Sequence, residues 1–352
     1  MKILMTGGGT LGPVTPLIAI GNALEVSALN MQIVWVGTPQ GPEGELLKNL
    51  GYRFISLKTA KLPRYASVSI LSAPFVLGKS YFQARDIIHR EKPDLVMSAG
   101  GYVSVPLIWA AKTMGVKTWI HQLDVRPGLA NKMMAPFADR ITTSWKKSLT
   151  AFPKEKAEWI GSPVRDSFKK ADKEEGVRSW GVNSDLPTVL VVGGGTGATW
   201  INQAVPEIVS SLLPKANVIH QTGKNKVSSL SKESDRGKYI QTDFIVEMDK
   251  AFALADIVVC RAGMGTLSEL ALTSKPAIVI PMPGSHQEDN AAVLRDNKAA
   301  IVFKEAQGTK ELEDVILKLL VDKKHQKKIG QKIHDLLPTE HVADKIAEQI
   351  VK

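Results

Sequence analysis

Two apolar segments of this chain run directly into glycine-rich turns. Lys2–Met5 precedes Thr6-Gly7-Gly8-Gly9-Thr10-Leu11-Gly12, and Thr188–Val192 precedes Gly193-Gly194-Gly195-Thr196-Gly197-Ala198. Glycines let backbone approach a ligand closely, and a helix that follows offers unpaired N–H groups and the positive end of its dipole to an anion. Neither turn is a Walker A loop, because no Gly-Lys-Ser/Thr follows. The dinucleotide fingerprint is also incomplete: no acidic residue clearly ends the second strand, which reads Val34-Trp35-Val36-Gly37. Acid–base candidates sit in His121-Gln122-Leu123-Asp124, at the end of another apolar segment, and Glu269 follows the small-residue run Gly263-Met264-Gly265-Thr266. No Asp-x-Asp pair stands in a loop that would chelate a divalent ion on a diphosphate, so a metal site is not expected. The single cysteine, Cys260, rules out an internal disulfide and a thiolate zinc cluster.

These residues need a scaffold. Short β-branched runs at Lys2–Met5, Gln32–Val36, Leu95–Ser98 and Thr118–His121 alternate with helical patterns such as Pro16–Ser27. The rhythm restarts at Thr188–Val192, Ala216–His220, Ile257–Cys260 and Ala277–Pro281. Such alternation predicts an α/β protein with two doubly wound parallel sheets. The 352 residues suit two domains of that kind. The turn residues of Ile160-Gly161-Ser162-Pro163-Val164-Arg165 place the linker, giving domains over 1–162 and 163–338. The stretch 339–352 reads as a helix with Val342, Ile346 and Ile350 on one face, able to return to the first domain. A ligand is expected in a cleft facing the C-terminal ends of both strand sets.

Hydrophobic residues at 44% and charged residues at 23% are ordinary for a folded chain. The first residues fall short of a signal-peptide core, and no run approaches the roughly 20 apolar residues of a membrane span, so a cytoplasmic location is expected. The net charge of +10 favours anionic partners. With aromatics at 6% and no interleaving of basic and aromatic residues, nucleic acid is not among them.

Several motifs occur together in the order and spacing of one family. They are Thr6–Thr10, Gly100-Gly101-Tyr102-Val103-Ser104, Gly161–Arg165, Gly193–Ala198, Cys260-Arg261-Ala262-Gly263 with Ser268-Glu269, and His286-Gln287-Glu288-Asp289-Asn290-Ala291. Over nearly its whole length the chain resembles the MurG family, inverting glycosyltransferases of family 28 with the GT-B fold. The resemblance implies transfer of N-acetylglucosamine from UDP-GlcNAc to the 4-hydroxyl of a lipid-linked N-acetylmuramyl-pentapeptide, without a cofactor. The donor is then held by the C-terminal domain and the acceptor by the N-terminal one.

For the donor, the resemblance implies that Glu269 accepts hydrogen bonds from the ribose hydroxyls, which suits a group that only accepts. It puts Gly263, Met264, Gly265 and Thr266 at the diphosphate and Phe244 and Ile245 beside the uracil. Gln287 and Asn290 fall near the sugar, with Gly194, Gly195 and Thr196 in the donor loop. Arg165 contacts the nucleotide or forms an interdomain salt bridge; both readings are open. Gly195 and Thr196 replace the family's usual Ser and Gln.

The acceptor side, implied for Thr10, Leu11, Gly12, Gly101, Tyr102 and Asn131, departs from the family. Pro13 stands where the family has a histidine, and Leu11 replaces a glycine. Proline has neither an ionisable group nor a backbone N–H. The family's His-Glu-Gln-Asn box reads His121-Gln122-Leu123-Asp124 here, so the carboxylate has moved along the loop. Inverting transfer needs a base for the attacking hydroxyl. Asp124 is the first candidate and His121 the second. Three further readings stand beside this one: another lipid acceptor, a UDP-sugar-binding relative with little activity, and a UDP-GlcNAc 2-epimerase, against which the donor motifs argue. The apolar run Ile70–Phe82, flanked by Lys58, Lys61, Arg64, Lys79 and Arg85, is expected either to lie peripherally on an anionic membrane surface or to be a buried helix.

Overall fold

The computed structural model describes residues 1–27, 30–59, 69–195, 197–224, 226 and 232–352. The chain forms two compact units, Met1–Arg165 with Glu340–Lys352, and Asp166–Thr339. The first contains strands β1 (Lys2–Thr6), β2 (Gln32–Gly37), β3 (Arg53–Ser56), β4 (Leu95–Ser98), β5 (Lys117–Gln122), β6 (Arg140–Thr143) and β7 (Ala157–Trp159). The second contains β8 (Thr188–Val192), β9 (Asn217–Gln221), β10 (Lys232–Glu233), β11 (Lys238–Thr242), β12 (Ile257–Cys260), β13 (Ala277–Val279) and β14 (Ile301–Val302).

In the first sheet the order is β3-β2-β1-β4-β5-β6-β7, with every pairing parallel. The second sheet runs β10-β11-β9-β8-β12-β13-β14, parallel except for β10 against β11. Each winds outward from its first strand, then crosses back and winds outward the other way. The reversal falls between β1 and β4, and again between β8 and β12. Central strands such as Thr-Val-Leu-Val-Val in β8 are buried at every residue, as parallel strands covered on both faces must be. The strands not foreseen include β3 and β7, edge strands with half-exposed, mixed sequences that give no apolar run.

The helix Val14–Ser27 begins where the Leu11 carbonyl accepts from Val14 and Thr15 N–H, and it buries Leu17, Ile20 and Leu24. Against it packs the last helix, Val342–Val351, with Val342, Ile346 and Ile350 all buried. Ile346 is fully buried, and its truncation to alanine should cost about 2–5 kcal/mol. An Ile346→Ala variant should therefore show the first unit unfolding at lower urea; an unchanged midpoint would remove the docked helix as a source of stability.

Candidate active site

In the first unit Thr6 pairs in register with Ser98, so the loops after β1 and β4 leave the sheet side by side at the reversal. Ligand crevices form at such points because the two chains turn to opposite faces. The loops touch closely: Gly101 has φ +93°, and a Cβ on it would stand 2.8 Å from the Gly8 carbonyl oxygen. A Cβ on Gly9 would stand 2.7 Å from Tyr102 Cε1, so the phenol ring lies across the first glycine loop. Thr10 and Gly12 are exposed at its tip, with Leu11 and Pro13 partly buried.

The next strand, β5, brings in the acid–base candidates. The Gln122 side chain donates to the Asp124 carbonyl (2.7 Å) and accepts from Asn131 Nδ2 (2.5 Å). Ser148 Oγ donates to the carbonyls of Asp124 and Val125. This bracing holds the Asp124 loop, and Asp124 itself is half-buried. Asn131 is 6% exposed, and its Oδ1 has no hydrogen-bond partner. A buried acceptor without a donor is costly, and a ligand hydroxyl or amide could satisfy it.

His121 must be withdrawn as a base. It is fully buried, with Nδ1 2.9 Å from Thr142 Oγ1 and Nε2 3.1 Å from Ser144 Oγ. Burial pushes its pKa down to about 3. It braces β5 against β6 and reaches no solvent.

Sequence reasoning missed Glu43, in the helix Pro42–Asn49. It is fully buried and accepts from Thr38 N–H (2.7 Å), from the Thr38 hydroxyl and from Gly9 N–H (3.2 Å). Three glycines make its room: a Cβ on Gly8, Gly41 or Gly37 would lie 2.2, 1.9 or 3.0 Å from a Glu43 atom. Glycines grouped at Gly37 and Gly41 just before an acid were the available signal.

In the second unit Val192 pairs with Cys260, so the β8 and β12 loops also emerge together. Gly194 and Gly195 are accessible here, whereas Thr196 lies outside the described residues. Gly197 has φ +73°, and a Cβ on it would stand 2.0 Å from the Thr222 carbonyl oxygen. The helix Met264–Thr273 starts at Gly263 with no side-chain cap, so the amides of Met264, Gly265 and Thr266 point out of its N-terminus. Glu269 is half-buried in the second turn of this helix. Burial, and then the Glu269 carboxylate, push the Cys260 thiol up to about 12.

The amide side chains assigned to the sugar have structural partners. Asn290 is fully buried and donates to the Ala262 carbonyl (3.0 Å), holding the turn that opens the Met264 helix. Gln287 Oε1 accepts from Met282 N–H at 3.0 Å. The Ile245 N–H is given to Gln221 Oε1 (2.9 Å) and its side chain is buried, while Phe244 is 43% exposed. Arg261, given no role from the sequence, bonds the Ile280 carbonyl and pairs with Glu305 at 2.6 Å, joining the ends of β12 and β13 to the segment after β14. Arg165 is partly buried at the end of the first unit.

Two doubly wound sheets, each with a glycine loop at its reversal, give this protein the two-domain α/β architecture of the GT-B fold. Residues 3–143 match the glycosyltransferase family 28 N-terminal domain, and residues 188–349 the family 28 C-terminal domain. A relative from Lachnoclostridium phytofermentans is 38% identical over 282 residues, 80% of this chain and 78% of its own. One from Clostridium botulinum strain Loch Maree is 34% identical, over 90% of this chain and 88% of its own. Both are named UDP-N-acetylglucosamine–N-acetylmuramyl-(pentapeptide) pyrophosphoryl-undecaprenol N-acetylglucosamine transferase. The chain belongs to glycosyltransferase family 28, as a member of the MurG type. In fold it is similar to Acinetobacter baumannii MurG, with a TM-score of 0.76 and 24% identity over 99% of both chains. A Neisseria meningitidis UDP-GlcNAc 2-epimerase bound to UDP-GlcNAc shares the fold at a TM-score of 0.73, with 13% identity over the whole of both chains. The family match, not the fold, separates this enzyme from the epimerases.

Gly197→Ala should abolish UDP binding measured by calorimetry, because its Cβ would enter the Thr222 carbonyl. Retained affinity would move the donor away from this loop. A second expectation concerns pH. His121 stays neutral in the folded chain down to about pH 3, while the unfolded chain takes up a proton near 6.5. The unfolded state thus binds more protons in that window, so stability should fall on acidification from about pH 6.5. Urea midpoints of wild type and His121→Gln between pH 7 and 5 should converge at the lower pH; parallel curves would count against a neutral, buried His121.

Proposed function

We propose that this enzyme transfers N-acetylglucosamine from UDP-GlcNAc to the 4-hydroxyl of a lipid-linked N-acetylmuramyl-pentapeptide, with inversion and without a metal cofactor. The observation that carries this reading is 34–38% identity, spanning both units, to relatives of that named activity. In this reading the second unit holds the donor: Glu269 accepts from the ribose hydroxyls, and the amides at the N-terminus of the Met264–Thr273 helix take the diphosphate. Those amides stabilise the charge that develops on UDP as the glycosidic bond breaks. Gly194 and Gly195 line the donor loop, Gln287 stands near the sugar, and Asn290 holds the turn before the diphosphate helix.

The first unit takes the acceptor at Thr10, Leu11, Gly12, Gly101, Tyr102 and Asn131. Asp124 removes the proton from the attacking hydroxyl. Pro13, in place of the family's histidine, favours a second reading in which the lipid-linked acceptor differs. UDP release from UDP-GlcNAc, measured with lipid I or a short-chain analogue, tests both. Asp124→Asn should lower kcat by on the order of 100-fold with UDP affinity kept, and Glu269→Ala should weaken UDP binding about 10- to 100-fold. Turnover untouched by Asp124→Asn would remove it as the base; UDP binding without turnover would point to another acceptor. Turnover should also survive chelator.

A peripheral site on the inner face of the cell membrane follows from the same reading. Phe75 is 84% and Phe82 63% exposed on the helix Ser69–Glu91, which also carries Lys79 and Arg85. Lys61 and Arg64 lie outside the described residues, and no described helix is long and apolar enough to cross a membrane. Exposed aromatics beside cations suit shallow insertion among anionic headgroups. The protein should float with acidic liposomes at low salt, and failure to do so would end this assignment.

A further inference from the structure

Glu43 is a buried carboxylate that pairs with no cation among the described residues. Its charge is met instead by the Gly9 and Thr38 N–H groups and the Thr38 hydroxyl. A carboxylate in such surroundings is retained only where its hydrogen bonds are satisfied, and losing it leaves their donors buried and empty. Three glycines around it omit the side chains that would fill its place.

What this carboxylate holds is the first glycine loop. Gly9 has φ +83°, and its N–H is aimed at both Glu43 oxygens, at 3.2 and 3.3 Å. The Tyr102 ring lies on Gly9, and Gly101 packs on Gly8. Burial and then the Glu43 charge push the Tyr102 phenol above its ordinary pKa. The loop after β1 and Thr38 after β2 are therefore tied to one acid, and Tyr102 from the loop after β4 lies on the glycine that it holds.

We propose that Glu43 is a positioning residue for the acceptor: it holds Gly9, and with it the Tyr102 ring that lies on Gly9, in the arrangement that receives the acceptor sugar. This rests on the reading that the first unit binds the acceptor. Glu43 touches no reacting atom. Its effect is to set the shape of a loop in which Pro13 stands in place of the family's histidine.

The test uses the full chain with Glu43→Gln and Thr38→Val. Kinetics are measured by varying UDP-GlcNAc and a short-chain lipid I analogue separately, with UDP affinity by calorimetry. Glu43→Gln should lower kcat/KM for the acceptor on the order of 10- to 100-fold, with UDP affinity changed by less than about twofold. Thr38→Val, which removes one donor and keeps the carboxylate, should give the same split with a smaller loss, and it decides the matter if Glu43→Gln does not fold. Unchanged acceptor kinetics, or parallel losses in UDP binding and acceptor kcat/KM, would overturn the proposal. Absence of wild-type turnover on this acceptor would instead defeat the functional reading. In that case tyrosinate absorbance, with Tyr102→Phe as the blank, still tests the positioning: Glu43→Gln should lower the Tyr102 pKa, and an unmoved titration refutes the contact.

Discussion

The Gly101 backbone lies so close to the Gly8 carbonyl that no Cβ fits between them. This contact joins the loops of β1 and β4 at the point where the first sheet reverses its winding. Register prepares it, because Thr6 and Ser98 end their strands level with one another. In the second sheet β8 and β12 also end level at the reversal, while Gly197 closes on the Thr222 carbonyl after β9, on the other side of β8. In both units a positive φ and an absent side chain let main-chain groups close on one another at the C-terminal ends of central strands.

Around these contacts the polar residues act as braces. His121 joins β5 to β6, Gln122 joins Asp124 to Asn131, and Asn290 holds the turn before the Met264 helix. Each bond contributes only about 1 kcal/mol net, yet an unmade buried partner costs more, so such networks specify one loop conformation. A site that stabilises developing charge gains from groups held in place before reaction. Several family-like residues contribute through the backbone they hold.

The departure at Pro13 fits this view. A loop with proline there carries no proton-transfer group, and Asp124 is the half-buried carboxylate in the loop after β5. The glycine loop contributes shape, and Glu43 stands beneath it. In the proposed reading, the division of labour in the first unit is between a loop that is positioned and a strand end that bears the base.

From the sequence alone, the recurring strand, glycine turn and helix were readable, and so was the α/β class with its two sheets. Backbone conformation is a local demand: glycine runs, β-branched segments and the apolar stripe of Val342, Ile346 and Ile350 announce it directly. The short edge strands β3 and β7 escaped because half-exposed strands carry no apolar run. Which polar residues remain available for chemistry was decided only by the tertiary structure. His121 lost its candidacy to Thr142 on the adjacent strand and Ser144 just beyond its end, more than twenty residues away. Glu43 gained its place from Gly9, thirty-four residues distant. Burial and hydrogen-bond partners come from neighbouring strands and loops, and a linear pattern does not contain them.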